Sequence, residues 1–497
     1  MREFPALWRD RRLRSVGTSF HTDERSFESL TMTAMHLWLV PMTACAMSVA
    51  LPLTLARAQS PAVALPGSNS RLPVGWYELA PGHKVLVTWA PEAGELRMLD
   101  FDSLAFHRLV PATDTGYVWR RGSDTANRVV TFVRRDDGEV TGLRWTGTNG
   151  ASGLAQRARE FPFQQRQVRF RNDSVELVGT LLLPRIRKLV GRPGRMVDVP
   201  ITLPGAVIIH GSGASDRDNV WAFHIAQHMA RNGIAVLIPD KRGSGASGGD
   251  WRTADFVALA GDAIAAAREL GADPRVDPHR VGFVGLSQGG WIAPLAATRG
   301  EGAFAVDVSG AAVTPAEQVR HEVRQDLTRD GVPDSLAQQV LDLLALSLEH
   351  SGVLSDTSWE RYATKRNDML NGPLADAMTS FPAARDHWRF AWWRAVGDFD
   401  PVPYWRDLNA PALVVYGALD ENDNVPVAES VNRLRDALAP ERKPAHRIRV
   451  FQGMGHTLVD PGTGWISSAF LDLLSTWIIE AVGLERDARK PSGGKRQ

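Results

Sequence analysis

One cysteine, Cys45, stands in a chain of 497 residues. That scarcity rules out an intrachain disulfide and a zinc site built from several thiolates. Cys45 also falls in a segment with the marks of a removable leader, which argues against a thiol nucleophile and suits the mature chain to an oxidising compartment. Net charge is missing too: 57 Lys and Arg against 56 Asp and Glu leave +1. Nothing in that balance points to nucleic acid or an anionic membrane as a partner. Apolar runs long enough to cross a bilayer are confined to residues 37–56. No repeat recurs along the chain. The i,i+4 pair His224 and His228 has no adjacent Glu, so it lacks the zinc-binding His-Glu-x-x-His pattern. The Gly-rich stretch 240–249 lacks the Gly-Lys-Ser/Thr that cradles phosphate. No metal and no cofactor is expected.

The run at 37–56 ends in Ala56-Arg57-Ala58, a small-x-small site before Gln59. Two prolines in the run, Pro41 and Pro52, favour a removed signal peptide over a retained anchor. The apolar stretch before Cys45 is too short for a lipoprotein signal. Residues 1–58 are therefore read as signal peptide plus upstream extension, with export to the periplasm or medium and no membrane span in the mature chain. The long charged stretch ahead of the run suggests translation from Met32 or Met35. Mass spectrometry of the mature N-terminus checks this, and a retained Met1 contradicts it. Residues 59–74, rich in Pro, Ala, Gly and Ser, read as a linker.

From residue 75 the pattern becomes short alternating runs, at 76–79, 84–89, 95–101, 128–133 and 139–145. Pro81-Gly82, Ala93-Gly94 and Asp137-Gly138 supply turns between them. This predicts a small antiparallel β domain over 75–150, too short for a propeller. A linker is expected near 149–158. From 161 to 484 a hairpin (164–170 and 175–183) is followed by apolar strands alternating with amphipathic helices. The strands are expected at 206–209, 234–238, 281–284, 303–308, 412–416 and 447–451. That alternation specifies an α/β fold with a doubly wound, mostly parallel sheet. Between about 314 and 407 the strands stop and helical patterning takes over, an insertion of about ninety residues that reads as a cap. Residues 485–497 read as a disordered polar tail.

The chemistry centres on Gly285-Leu-Ser-Gln-Gly289. It follows an apolar strand and precedes a helix-like run, the setting of a nucleophile elbow with Ser287 at its tip. A base is expected on the loop after the last strand, where Gln452-Gly-Met-Gly-His456 offers His456. A carboxylate to orient that base is expected just past the strand at 412–416. Asp420 is preferred there, with Glu421 and Asp423 competing in the same loop. Two backbone N–H groups must face the developing oxyanion. Gln288, directly after the serine, supplies one. Ser212, in His210-Gly-Ser-Gly213 after the strand at 206–209, supplies the other.

Together, Gly285-Leu-Ser-Gln-Gly289, His210-Gly-Ser-Gly213 with Asp216-Arg-Asp218, Asp240-Lys-Arg-Gly-Ser-Gly245 and Gly455-His456 resemble the α/β-hydrolase superfamily. They are most similar to its esterases of the dienelactone-hydrolase and serine-aminopeptidase-like branch. The resemblance covers about residues 161–482. It implies hydrolysis of a small-molecule carboxylic ester through an acyl-enzyme, and some members of that branch carry a small N-terminal β domain. The same triad also serves serine peptidases and acyltransferases, and the scaffold can serve as a non-catalytic binder. The cap aromatics Trp388, Trp392, Trp393 and Trp405 would line an apolar acyl or aryl pocket or form the cap's own core.

Overall fold

The computed structural model describes residues 73–483, except 81–82, 91–93, 101–104, 113–115, 121–127, 147–151, 159–162, 186–187, 193–194, 200–201 and 439–445. The expected signal peptide, nearly all of the first linker and the polar tail lie outside the described residues. The alternating N-terminal runs form eight antiparallel strands: β1 (Gly75–Ala80), β2 (His83–Ala90), β3 (Glu95–Asp100), β4 (Ala105–Pro111), β5 (Gly116–Arg120), β6 (Arg128–Arg134), β7 (Val140–Thr146) and β8 (Ser152–Arg157). They close into a barrel, with Tyr77 of β1 paired to Arg157 of β8. The stretch expected to be a linker near 149–158 is thus largely the closing strand. Its Ser, Gly and Ala residues carry little strand propensity, and pairing with β1 and β7 on its two sides holds it extended.

Side chains on the barrel alternate with the pleat. Tyr77, Val85, Val87, Met98, Leu109, Val130, Phe132 and Leu143 fill the interior, as expected for a barrel this narrow. Trp76, Leu86 and Leu99 face outward and are nonetheless buried. They pack into a second core shared with the larger sheet, where Trp76 meets Phe223 at a ring-centroid distance of 6.1 Å.

That larger sheet contains β9 (Phe163–Asn172), β10 (Val175–Pro184), β13 (Leu203–Ile209), β14 (Ala235–Pro239), β15 (Val276–Leu286), β16 (Ala305–Val308), β17 (Ala412–Gly417) and β18 (Arg447–Phe451). A separate two-stranded hairpin, β11 (Lys188–Arg192) with β12 (Arg195–Val199), lies between β10 and β13 in sequence. The strand order is β18-β17-β16-β15-β13-β14-β10-β9. The six strands from β13 onward run parallel, and β9 and β10 pair antiparallel at one edge. Both faces are covered. Val207, Ile209 and Phe283 point to one apolar core, where helices α2 (Phe256–Gly271) and α3 (Gly289–Arg299) pack. Ala206, Ile208, Val284 and Leu286 point to the other, with helix α1 (Val220–Arg231) and the C-terminal helix at Ser468–Ala481. Burial on both faces explains why these strands read as nearly unbroken apolar runs.

Between β16 and β17 come α4 (Pro315–Arg329), α5 (Asp334–Val353), α6 (Asp356–Met369) and α7 (Trp388–Val396). Thr314 and Glu317 cap α4 reciprocally, and Pro315 occupies its first turn. This helical region has its own core of Val319, Leu343, Leu344, Tyr362, Phe390 and Trp393. The barrel's outward tryptophan yields a direct test of docking. Trp76 is 3% exposed, whereas Trp89 is 40% exposed. Trp76→Ala should therefore lower stability by about 3–5 kcal/mol in denaturant unfolding, and Trp89→Ala by under about 1 kcal/mol. Equal effects would contradict barrel docking through Trp76.

Candidate active site

Every parallel strand of the sheet ends at the same edge, and the polar residues singled out in the sequence gather there. β15 stops at Leu286, and the chain turns sharply into α3. Ser287 at the turn has φ +53°, a left-handed conformation rare for a residue with a side chain. The turn closes because its neighbours are glycines. A Cβ on Gly285 would run into the Gly289 carbonyl, and one on Gly289 into the Ile209 carbonyl. The Ser287 N–H donates to Val308 O at 2.9 Å, which ties the turn to the next strand.

His456 lies on the loop after β18. Its Nδ1 is 2.7 Å from Asp420 Oδ2, and Asp420 is fully buried just past β17. The Asn424 N–H donates to the other carboxylate oxygen of Asp420 at 3.3 Å. Burial alone would disfavour the imidazolium. The Asp420 carboxylate outweighs it by charge and hydrogen bond, helped by Asp423 and Glu322, so the His456 pKa is raised above the ordinary imidazole value. The two competing acids are engaged elsewhere. Glu421 accepts the Ala428 N–H at the start of the helix Val427–Ala437, and Asp423 pairs with Arg329 at 2.9 Å. No hydrogen bond joins Ser287 to His456 among the described residues. Such bonds are often long before substrate tightens a site.

The loop after β13 brings its backbone against the serine. A Cβ on Gly211 would lie 3.3 Å from Ser287 Cβ. Among the described residues, the N–H groups of Ser212 and Gln288 donate to no protein acceptor. Gln288 opens α3, where the first N–H groups have no partner within the helix. His210 is structural. Its Nε2 contacts Pro239 O at 2.6 Å and its Nδ1 contacts Ser215 Oγ at 3.2 Å, while burial lowers its pKa to about 4 and keeps it neutral. His228 of the i,i+4 pair faces Asp472 on the C-terminal helix.

Three features escaped the sequence. Arg97, on barrel strand β3, reaches Asp216 at 2.9 Å and Asp218 at 3.2 Å, and Thr88 on β2 donates to Asp218 at 3.1 Å. The barrel thus grips the same loop, whose Arg217 pairs with buried Asp240. Asp307 on β16 lies against Gly290 and accepts the Gly310 N–H, and burial raises its pKa well above the usual carboxylate range. Lys241, two residues past β14, donates from Nζ to Gln288 Oε1 at 2.6 Å and to Gly211 O at 2.9 Å. Burial lowers its pKa to about 7. Lys241 stood in the Asp240-Lys-Arg-Gly-Ser-Gly245 stretch just beyond a parallel strand, which marked its place but not its partners; nothing local marked Arg97 or Asp307.

The helical region meets this edge through α4 and α7. Gln318 Nε2 on α4 donates to Asn424 Oδ1 at 2.7 Å, and His321 Nε2 lies 2.8 Å from Glu421 O. Trp388 on α7 packs edge-on against Trp251, 5.3 Å between centroids. Of the aromatics considered as pocket lining, Trp393 belongs to the helical core and Trp405 to the core under the sheet.

Solved structures that resemble the chain share little sequence with it. An esterase of Pyrococcus furiosus is 14% identical, covering 66% of this chain and 96% of its own, with a TM-score of 0.42. A dienelactone hydrolase from Anabaena variabilis is 17% identical over 64% of this chain and 99% of its own, with a TM-score of 0.36. An acylaminoacyl peptidase of Pyrococcus horikoshii is 15% identical over 78% of this chain and 54% of its own, with a TM-score of 0.43. No curated protein matches the sequence. The sequence profile of the alpha/beta hydrolase family matches residues 206–462 of the 497, from β13 past His456. By that match over more than half its length, the chain belongs to the alpha/beta hydrolase family.

Proposed function

We propose that this hydrolase cleaves small-molecule carboxylic esters through an acyl-enzyme on Ser287. The observation that carries the reading is the 2.7 Å bond from the His456 imidazole to buried Asp420, at the sheet edge where Ser287 sits on its strained turn. With Nδ1–H donating to Asp420, Nε2 is left as the proton acceptor. Ser287 Oγ attacks the ester carbonyl carbon as its proton passes to His456 Nε2. The oxyanion is held by the Ser212 and Gln288 N–H groups, whose lack of protein acceptors supports this role. The tetrahedral adduct then collapses. The C–O bond to the alcohol breaks, and His456 delivers the proton to the departing oxygen. Water repeats the sequence on the acyl-enzyme, releasing the acid and restoring the serine.

Ser287→Ala should retain the circular dichroism and melting behaviour of the parent and lose p-nitrophenyl butyrate turnover by at least about 10³-fold. Turnover within tenfold of the parent would remove the proposal. A parallel panel of aminoacyl-naphthylamides and alcohol acceptors separates ester hydrolysis from peptidase and acyltransferase action, since the three share the same nucleophile.

The pH profile gives a second test. His456 acts as base only when neutral, so kcat/KM should fall as pH drops through its raised pKa. The midpoint of that acid limb should lie above the free-imidazole value of about 6.5. In Asp420→Asn the carboxylate that raises it is gone, so the limb of the residual activity should move down. A limb unmoved by that substitution would contradict the pairing.

A further inference from the structure

We infer that Lys241 is a positioning residue for acyl transfer, holding both halves of the oxyanion site and polarising the Ser212 half; the inference rests on the acyl-transfer reading above. Lys241 is 8% exposed, and its amino group adds a side-chain bridge between the loop after β13 and the start of α3. One bond goes to the Gly211 carbonyl, 30 residues earlier in the chain, and the other to the Gln288 side chain, 47 residues later. The Gly211 carbonyl belongs to the same peptide unit as the Ser212 N–H. A cation on the oxygen of a peptide draws electron density toward it and makes the N–H at its other end a better donor. The second bond fixes the side chain of the residue that carries the other N–H. One ammonium group therefore sets the spacing between the two donors and strengthens at least one of them.

Burial lowers the Lys241 pKa to about 7, so the lysine carries its charge near and below neutral pH, and the two hydrogen bonds hold it in place. Among the described residues no carboxylate forms an ion pair with it. Its neighbour Asp240 is occupied by Arg217, and Asp262, the acid whose field reaches it, is occupied by Arg242. The face of the Trp251 ring lies 5.9 Å from Nζ. In the protonated lysine the positive charge is thus left uncancelled by an ion pair beside the place where negative charge appears during the reaction. Held in a site shielded from water, such a charge acts more strongly on the transition state than on the neutral ester. The signature is therefore loss of kcat with little change in KM.

The test compares Lys241→Met, which keeps the bulk of the stem, with Lys241→Arg, which keeps the charge. Active sites are counted by fluorophosphonate titration, and rates with p-nitrophenyl butyrate are expressed per titrated site. Lys241→Met should lower kcat per site about tenfold to hundredfold with KM within about threefold. An alkylboronic acid, which mimics the tetrahedral adduct, should bind more weakly by the same factor, and Lys241→Arg should recover most of the rate. The inference is overturned if Lys241→Met keeps the parent rate per site and loses only titratable protein, the result for a purely structural lysine. It is also overturned if KM changes while kcat and boronate affinity do not. Failure of the acyl-transfer reading shows separately, because Ser287→Ala would then remain active.

Discussion

Ser287 is held at φ +53° where backbone packs on backbone with nothing in between, and the rest of the site depends on that contact. Gly285, Gly289 and the Ile209 carbonyl lie too close together to admit a Cβ. The close fit joins the end of β15, the start of α3 and the end of β13 in one rigid corner. Ser287 is lifted out of the sheet edge by this corner, and Gly211 is brought beside it by the same corner. The parallel sheet supplies the remaining geometry. Because β13, β15 and β17 end at one edge, loops far apart in sequence deliver backbone donors, hydroxyl and carboxylate to one region.

Around this corner the accessory parts act as braces. The barrel contributes Arg97 and Thr88 to the loop that follows β13, and its Trp76 packs on Phe223 of the helix that the same loop leads into. Helix α4 is tied to the loop carrying Asp420 through Asn424 and Glu421. The polar contacts among these engage groups that would be costly to leave without partners, so the loops are held by mutual satisfaction of charges and hydrogen bonds. A catalytic loop supported in this way has little freedom to lose when a transition state forms, which is the physical meaning of preorganisation.

The alternation of apolar strands and amphipathic helices made the doubly wound sheet legible, because both faces of its strands are buried. Ser287 was legible from its glycines, and His456 from its place after the last strand. Asp420 could be ranked only ahead of its neighbours. What separates it from Glu421 and Asp423 is a helix start and an arginine about ninety residues away in sequence. β8 was hidden because Ser152–Arg157 has the composition of a linker and is a strand only by closing the barrel. Arg97 and Lys241 were hidden for a related reason. Their partners stand 119 and 47 residues away, and no local pattern encodes such a meeting.

The most direct measurement is peptide mapping of the protein after reaction with a fluorophosphonate. Attack by the hydroxyl on its strained turn, with His456 as base, should place one phosphonyl group on the peptide containing Ser287. Replacing His456 by Ala should suppress that adduct. A protein that takes up no phosphonyl group, or takes it up on a different serine, would contradict the account.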